Sequence, residues 1–92
     1  MTAHRHAAYM RFRARLDALA PSKLLPAERE VLQDAAEGLL LTHDSQEAAA
    51  SYERGAHQLR TLISTGRWTE TMALPLLDDL AAASPPAFVL AA

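Results

Sequence analysis

Three adjacent residues, His43, Asp44 and Ser45, are of the types that form a hydrolytic triad. Triad members converge from separated positions in a chain, because the nucleophile, the base and the orienting carboxylate must each point at the next. Three consecutive residues cannot take that geometry. Asp44 or Ser45 is instead suited to cap a helix, with Glu47 as the partner in a capping box. We therefore expect a helix start here, no catalytic residues and no enzyme.

Histidines and carboxylates are spaced too poorly to predict a metal site. His4 and His6 differ by about 200° on a helical wheel and so diverge. Glu53 and His57 share the polar face of one predicted helix and could form one edge of a site, but no second pair accompanies them. The chain has no cysteine, which excludes thiolate zinc sites, iron–sulfur clusters and disulfides. We expect neither a metal nor a cofactor.

Basic side chains cluster in the first twenty residues, where Asp17 alone opposes them. The arginines of this segment are Arg5, Arg11, Arg13 and Arg15. On a helix, His4, Arg11 and Arg15 fall along one stripe that could contact phosphates. Nucleic-acid binding through this first segment is therefore an alternative function.

The next segment has the opposite charge. Residues 26–53 hold seven acidic residues against Arg29, a net charge of −6. A helix beginning near residue 45 would present Glu47 to phosphate in its first turn, which disfavours a helix-turn-helix. We expect the basic first helix to pack beside the acidic second helix, within the molecule or across a dimer. A ligand or enzyme site between helices is a third possibility, for which only Tyr52 offers a core-facing polar group.

Apolar residues recur at helical spacing throughout the chain, and β-branched residues are too scarce for a sheet. We predict helices over about 3–19, 26–41, 46–65 and 70–83. Pro26 suits a first helical turn, whereas Pro75 predicts a kink or a restart in the last helix. Short connections make consecutive helices antiparallel. The expected fold is an all-α, antiparallel four-helix bundle.

One helical domain is expected over residues 1–86, followed by an apolar tail at 87–92 that docks, is disordered or acts as a degradation signal. No stretch approaches the roughly 18 apolar residues of a membrane span. The arginine-rich start also resembles a transit peptide, but its apolar stripe supplies a face that the bundle needs. We expect a cytoplasmic protein, and its abundant alanine and arginine are typical of a GC-rich bacterial genome.

The apolar residues exceed what one small core absorbs, because a domain of this length buries only ~60 to 65% of the surface of its unfolded chain. We expect the surplus to contact another chain, most simply a second copy. The predicted contact residues are Met10, Leu24, Leu40, Leu41, Trp68 and Leu74, with Arg11 and Arg15 for charge complementarity. The sequence thus favours a non-catalytic helical protein–protein interaction module, adaptor or regulatory, that forms a homodimer.

Overall fold

The computed structural model describes residues 3–19 and 22–85, which form four α-helices and, within those ranges, no strand. They are α1 (Ala3–Leu19), α2 (Pro26–Leu41), α3 (Ser45–Ser64) and α4 (Glu70–Ala83). The all-α prediction is confirmed, and only α3 is displaced from its predicted range, by one residue. The predicted tail at 87–92 lies outside the described residues. No helix in the described ranges has the length and apolar character needed to cross a membrane.

Local side-chain chemistry sets the helix boundaries. The Asp44 carboxylate accepts hydrogen bonds from two backbone N–H groups in the first turn of α3, at 2.7 and 3.1 Å. Thr69 caps α4 in the same way, accepting from the backbone N–H of Met72 at 3.3 Å. Between α3 and α4, the backbone of Gly66 has φ +78°. This left-handed conformation ends α3, and it costs little free energy only for a residue without a side chain.

The helices run up, down, up and down around one core. The start of α1 lies against the ends of α2 and α4, which makes α1 antiparallel to both. The helix pairs α1–α4, α2–α3, α3–α4 and α1–α2 all pack together. Gly55 permits a close approach, because a Cβ there would lie 2.9 Å from Leu80 Cδ1 and 3.2 Å from Ala35 Cβ. The predicted antiparallel order is thus what the structure shows.

Large apolar side chains from all four helices and one connection fill the interior. The largest that are fully buried are Phe12, Leu16, Leu24, Leu32, Leu39, Leu59, Leu62, Leu76 and Leu80. Trp68, in the connection before α4, closes one end of the core, and its indole Nε1 donates to the carbonyl of Lys23 at 2.8 Å. That hydrogen bond satisfies the polar edge of a ring that is otherwise buried.

Helix α4 continues through Pro75, so the predicted restart does not occur. Pro75 lies six residues after Thr69, the cap of α4, and therefore beyond the first turn of the helix. Because proline has no N–H, the carbonyl of Thr71 loses the partner that residue 75 would otherwise supply. The buried Ala73 and Leu76 hold the segment against the core on both sides of the proline.

Candidate functional site

Three of the predicted contact residues are covered by the chain itself. Leu24, Leu40 and Trp68 have exposed fractions of only 1, 7 and 3%. The connection between α1 and α2 folds over the end of the bundle, where Leu24 and Trp68 join the core cluster. Leu40 belongs to the same cluster from the last turn of α2. The prediction that these three side chains face a partner is corrected, because they complete the core.

The other three predicted apolar contacts are at the surface. Leu41, Leu74 and Met10 are 71, 55 and 48% exposed. They belong to α2, α4 and α1 respectively, so each helix presents its own apolar side chain. The structure thus leaves these three residues available to another molecule.

The two predicted charge contacts, Arg11 and Arg15, share one acceptor on α4. Their Nε atoms donate to the two carboxylate oxygens of Asp79 at 3.3 and 2.9 Å. Asp79 is 5% exposed, whereas both arginine side chains are about half exposed, at 49 and 46%. Within residues 3–19 and 22–85, the Nη nitrogens of both arginines make no further hydrogen bond. Each guanidinium therefore uses its Nε for Asp79, and its Nη nitrogens are not used by the described residues.

A shallow groove lies beside this ion-pair cluster, between the end of α1 and the start of α4. Its volume is about 290 Å³. The residues lining it are Arg15, Ala18, Leu19, Thr71, Met72, Pro75 and Leu76. We call it the α1–α4 groove. Its lining is mostly apolar, with Arg15 as the donor on one wall and Thr71 as the polar residue on the other.

Arg5 has a role that the sequence reading missed. Its side chain is buried, and it donates to the carbonyl oxygens of Ala83 at 3.0 Å, Leu39 at 2.8 Å and Leu40 at 3.1 Å. These carbonyls belong to the last turns of α4 and α2, where a positive charge is favourable. A signal existed in the sequence, since Arg5 precedes Tyr9 by four residues and so lies on the apolar stripe of α1.

The basic charge of α1 is largely used inside the molecule, which weighs against the nucleic-acid alternative. Arg5 is buried at the helix ends, and Arg11 and Arg15 bind Asp79. The guanidinium carbon of Arg13 lies 6.0 Å from the ring centroid of Tyr9. Two of the arginines of α1 therefore meet an acid of α4. Helix α1 does pack beside the acidic α2, as predicted, but the acid that its Arg11 and Arg15 bind is on α4.

Tyr9 provides one of the polar contacts between α1 and α2. Its hydroxyl donates to the Glu37 carboxylate at 3.2 Å. Burial and the adjacent negative charge of Glu37 raise the pKa of Tyr9 above its usual value of 10.0. Burial also raises the pKa of Tyr52, the one core-facing polar group predicted from the sequence. Both phenols therefore hold their protons more tightly than free tyrosine.

The remaining candidates from the sequence have structural roles or none. Asp44 is the cap of α3, as expected for the His43–Ser45 segment. Glu53 binds Arg60 on the same helix face, away from any set of ligands. In the described part of the chain, no three histidine, aspartate or glutamate side chains gather as metal ligands.

Compared with protein-family models, curated proteins and solved structures, the chain matches none.

Proposed function

We propose that this chain is a non-catalytic helical protein–protein interaction module, adaptor or regulatory, that acts in the cytoplasm and self-associates as a dimer. The observation that carries the proposal is the exposure of Leu41, at 71%, in a chain whose described residues include nine fully buried large apolar side chains. Leu74 and Met10 are exposed by about half as well. Covering a leucine contributes roughly 1.5 to 3 kcal/mol, so a second chain gains stability by contact there.

The state of the interior polar groups favours binding over catalysis. Among the described residues, every buried side-chain nitrogen and oxygen has a hydrogen-bond partner. The charged side chains that are most buried, Arg5 and Asp79, are held by helix carbonyls and by two arginines. A catalytic acid, base or nucleophile must instead be free to reach a substrate.

Sedimentation equilibrium at high micromolar concentration tests self-association. The wild-type chain is expected to sediment as a dimer. Leu41→Gln, Leu74→Gln and Met10→Gln keep helix-forming side chains but remove apolar surface, and at least one is expected to weaken the dimer by about tenfold or more. Ala50→Gln is the matched control, because Ala50 is an exposed residue of α3. A strictly monomeric wild type would refute self-association, and a dimer untouched by all three substitutions would refute the assigned surface.

A further inference from the structure

We propose that the α1–α4 groove binds a short linear peptide segment of a partner protein, one that combines an apolar side chain with a neighbouring acidic side chain. The proposal deepens the interaction module proposed above and rests on it. The groove lining does not include the exposed Met10, Leu41 and Leu74, so the peptide site and the proposed dimer surface consist of different residues.

The dimensions of the groove fit a short segment. Its walls run from Arg15 to Leu19 on α1 and from Thr71 to Leu76 on α4. At 1.5 Å per residue these stretches are about 6 to 8 Å long, little more than one helical turn. A volume of about 290 Å³ lies at the small end of the range for ligand sites. One or two apolar side chains fill such a space against Met72 and Leu76.

The charge on the rim selects an acidic neighbour. Arg15 uses its Nε for Asp79, and its Nη nitrogens have no other acceptor among the described residues. Arg11, one helical turn away, also uses its Nε for Asp79 and has no other acceptor among the described residues. The two arginines together with Asp79 leave a net charge of about +1 beside an apolar surface, where a partner carboxylate forms a charge-assisted hydrogen bond.

The opposite wall presents an acceptor. Thr71 is exposed in the groove wall, and its side-chain hydroxyl can accept a hydrogen bond. A peptide backbone supplies an N–H donor beside its side chains. A fatty acid supplies an apolar chain and a carboxylate but no donor. The three features of the groove together therefore match a peptide.

A second copy of this chain is a poor occupant of the groove. A two-fold axis through the α1–α4 groove would bring Arg11 and Arg15 close to the same residues of the copy. Like charges facing each other across an interface are unfavourable. The charge of the groove therefore favours a different chain with an acidic segment.

Phage-displayed random linear peptides, selected on the full-length chain, are the probe. The enriched sequences are expected to place an aspartate or glutamate within a few residues of a large apolar side chain. The most enriched peptide is then synthesised with a fluorescent label, and its dissociation constant is measured by fluorescence anisotropy. Replacing its acidic residue with lysine is expected to weaken binding by about tenfold or more, and added salt to weaken the original peptide.

Two alanine-to-glutamate variants form the matched pair. Ala18→Glu places a bulky negative side chain in the groove and is expected to weaken peptide binding by about tenfold or more. Ala50→Glu makes the same substitution on the exposed face of α3 and is expected to leave the affinity unchanged. Circular dichroism melting checks that each variant is folded, and sedimentation is expected to give the wild-type oligomeric state for both.

Several results would overturn the proposal. These are no enriched peptide, enriched peptides without acidic residues, or peptides that bind Ala18→Glu as tightly as wild type. Two further results would assign the groove to another occupant. Binding that appears only when residues 86–92 are deleted would point to the chain's own last segment, and dissociation of the dimer by Ala18→Glu would point to a second copy. A dimer that selects no peptide overturns this inference alone, whereas a monomer that selects the acidic peptide overturns only self-association.

Discussion

Arg5 donates hydrogen bonds to carbonyl oxygens at the ends of two helices, and its own exposed fraction is only 4%. The last carbonyls of an α-helix have no partner within the helix, so the guanidinium supplies donors where the backbone has none. The burial of this charge is therefore tolerated because it is matched by several acceptors and by the negative ends of α2 and α4.

Replacing Arg5 with methionine tests this role. Arg5→Met keeps a long apolar side chain but leaves buried carbonyls without donors, so we expect the free energy of unfolding to fall by about 3 kcal/mol. Urea denaturation followed by circular dichroism measures the change. Arg60→Met, at an exposed position on α3, is the control and should change stability by less than about 0.5 kcal/mol. Equal effects of the two substitutions would contradict a structural role for Arg5.

Stability at alkaline pH depends on Tyr9. Its pKa is raised in the folded state, so the unfolded chain loses the phenol proton first. The stabilising contribution is therefore complete below pH 10.0, the unfolded value, and is lost as the pH rises through the higher folded value. Tyr9→Phe should show a smaller loss of unfolding free energy above pH 10.0 than the wild type. Tyr52→Phe, which removes the other phenol with a raised pKa, gives the comparison. An identical pH profile for wild type and Tyr9→Phe would exclude this linkage.

Residue type and helical period predicted some side-chain environments and missed others. Met10, Leu41 and Leu74 lie off the apolar stripes and are exposed as expected. Arg5 lies on the apolar stripe of α1 but was counted only as part of the basic charge of the first segment. Trp68 was predicted to contact a partner chain, whereas it is buried and donates a hydrogen bond to the carbonyl of Lys23, 45 residues away in the chain. A periodic pattern carries no information about such long-range contacts.

At the scale of the helix, boundaries were predictable because their causes are local. Pro26 begins α2, Asp44 and Thr69 cap α3 and α4, and Gly66 takes the left-handed conformation after α3. Each of these signals lies within a few residues of the boundary it sets. The exception was Pro75, whose local signal predicted a kink or a restart, whereas α4 is one continuous helix. Packing of the flanking helix against the core outweighs the one missing hydrogen bond.

Removing the proline tests that balance. Pro75→Ala restores an N–H that can bond to the carbonyl of Thr71 and gives α4 a stronger helix former. We expect the free energy of unfolding to rise by roughly 1 to 3 kcal/mol. Replacing proline also gives the unfolded chain more conformational freedom, which makes the gain smaller. Thermal denaturation measures the gain. Pro26→Ala, in the first turn of α2, is the control and should give no such gain because the N–H there needs no helical partner. Destabilisation by Pro75→Ala would show that the proline ring is needed for packing.

The contact between α3 and its neighbours depends on the missing side chain at Gly55. A methyl group there would lie 2.9 Å from Leu80 Cδ1 and 3.2 Å from Ala35 Cβ. Gly55→Ala gains helix propensity of about 1 kcal/mol but overpacks the contact by about 1 to 3 kcal/mol. We therefore expect a net loss of about 1 kcal/mol.

A double-mutant cycle identifies the cause of that loss. If the methyl group collides with Leu80, the Leu80→Ala substitution should cost less in the Gly55→Ala background than in the wild type. Chemical denaturation of the four chains gives the coupling energy. Additive effects, or a more stable Gly55→Ala, would contradict close packing at this position.

At the scale of the whole molecule, the two ends of the described chain pack together. Helices α1 and α4 lie side by side, and the ion pairs joining them connect residues 64 and 68 positions apart in the sequence. Short connections predicted the order of the helices correctly. They did not predict that Asp79 would be the principal acidic partner of α1. The net charge of a segment does not specify which side chains it will lie against in the fold.

The first helix is expected to be indispensable to the fold. Phe12 and Leu16 are fully buried between the other helices, and α1 also supplies Arg5 to two helix ends. A chain beginning at Lys23 would expose the apolar faces of α2 and α4, so we expect no cooperative thermal unfolding transition. Differential scanning calorimetry of this chain beside the full-length protein measures the difference. A sharp transition in the shortened chain would show that three helices suffice.

The hydrogen bond from Arg5 to Ala83 has a consequence for the speed of folding. It joins residues 78 positions apart, so the chain must close almost its whole length before the bond can form. Entropy lost in closing so large a loop is recovered only when both partners are in place, so we expect this contact to form after the folding transition state. Weakening it should therefore accelerate unfolding much more than it slows folding, and Arg5 governs mainly how long the native state survives once formed.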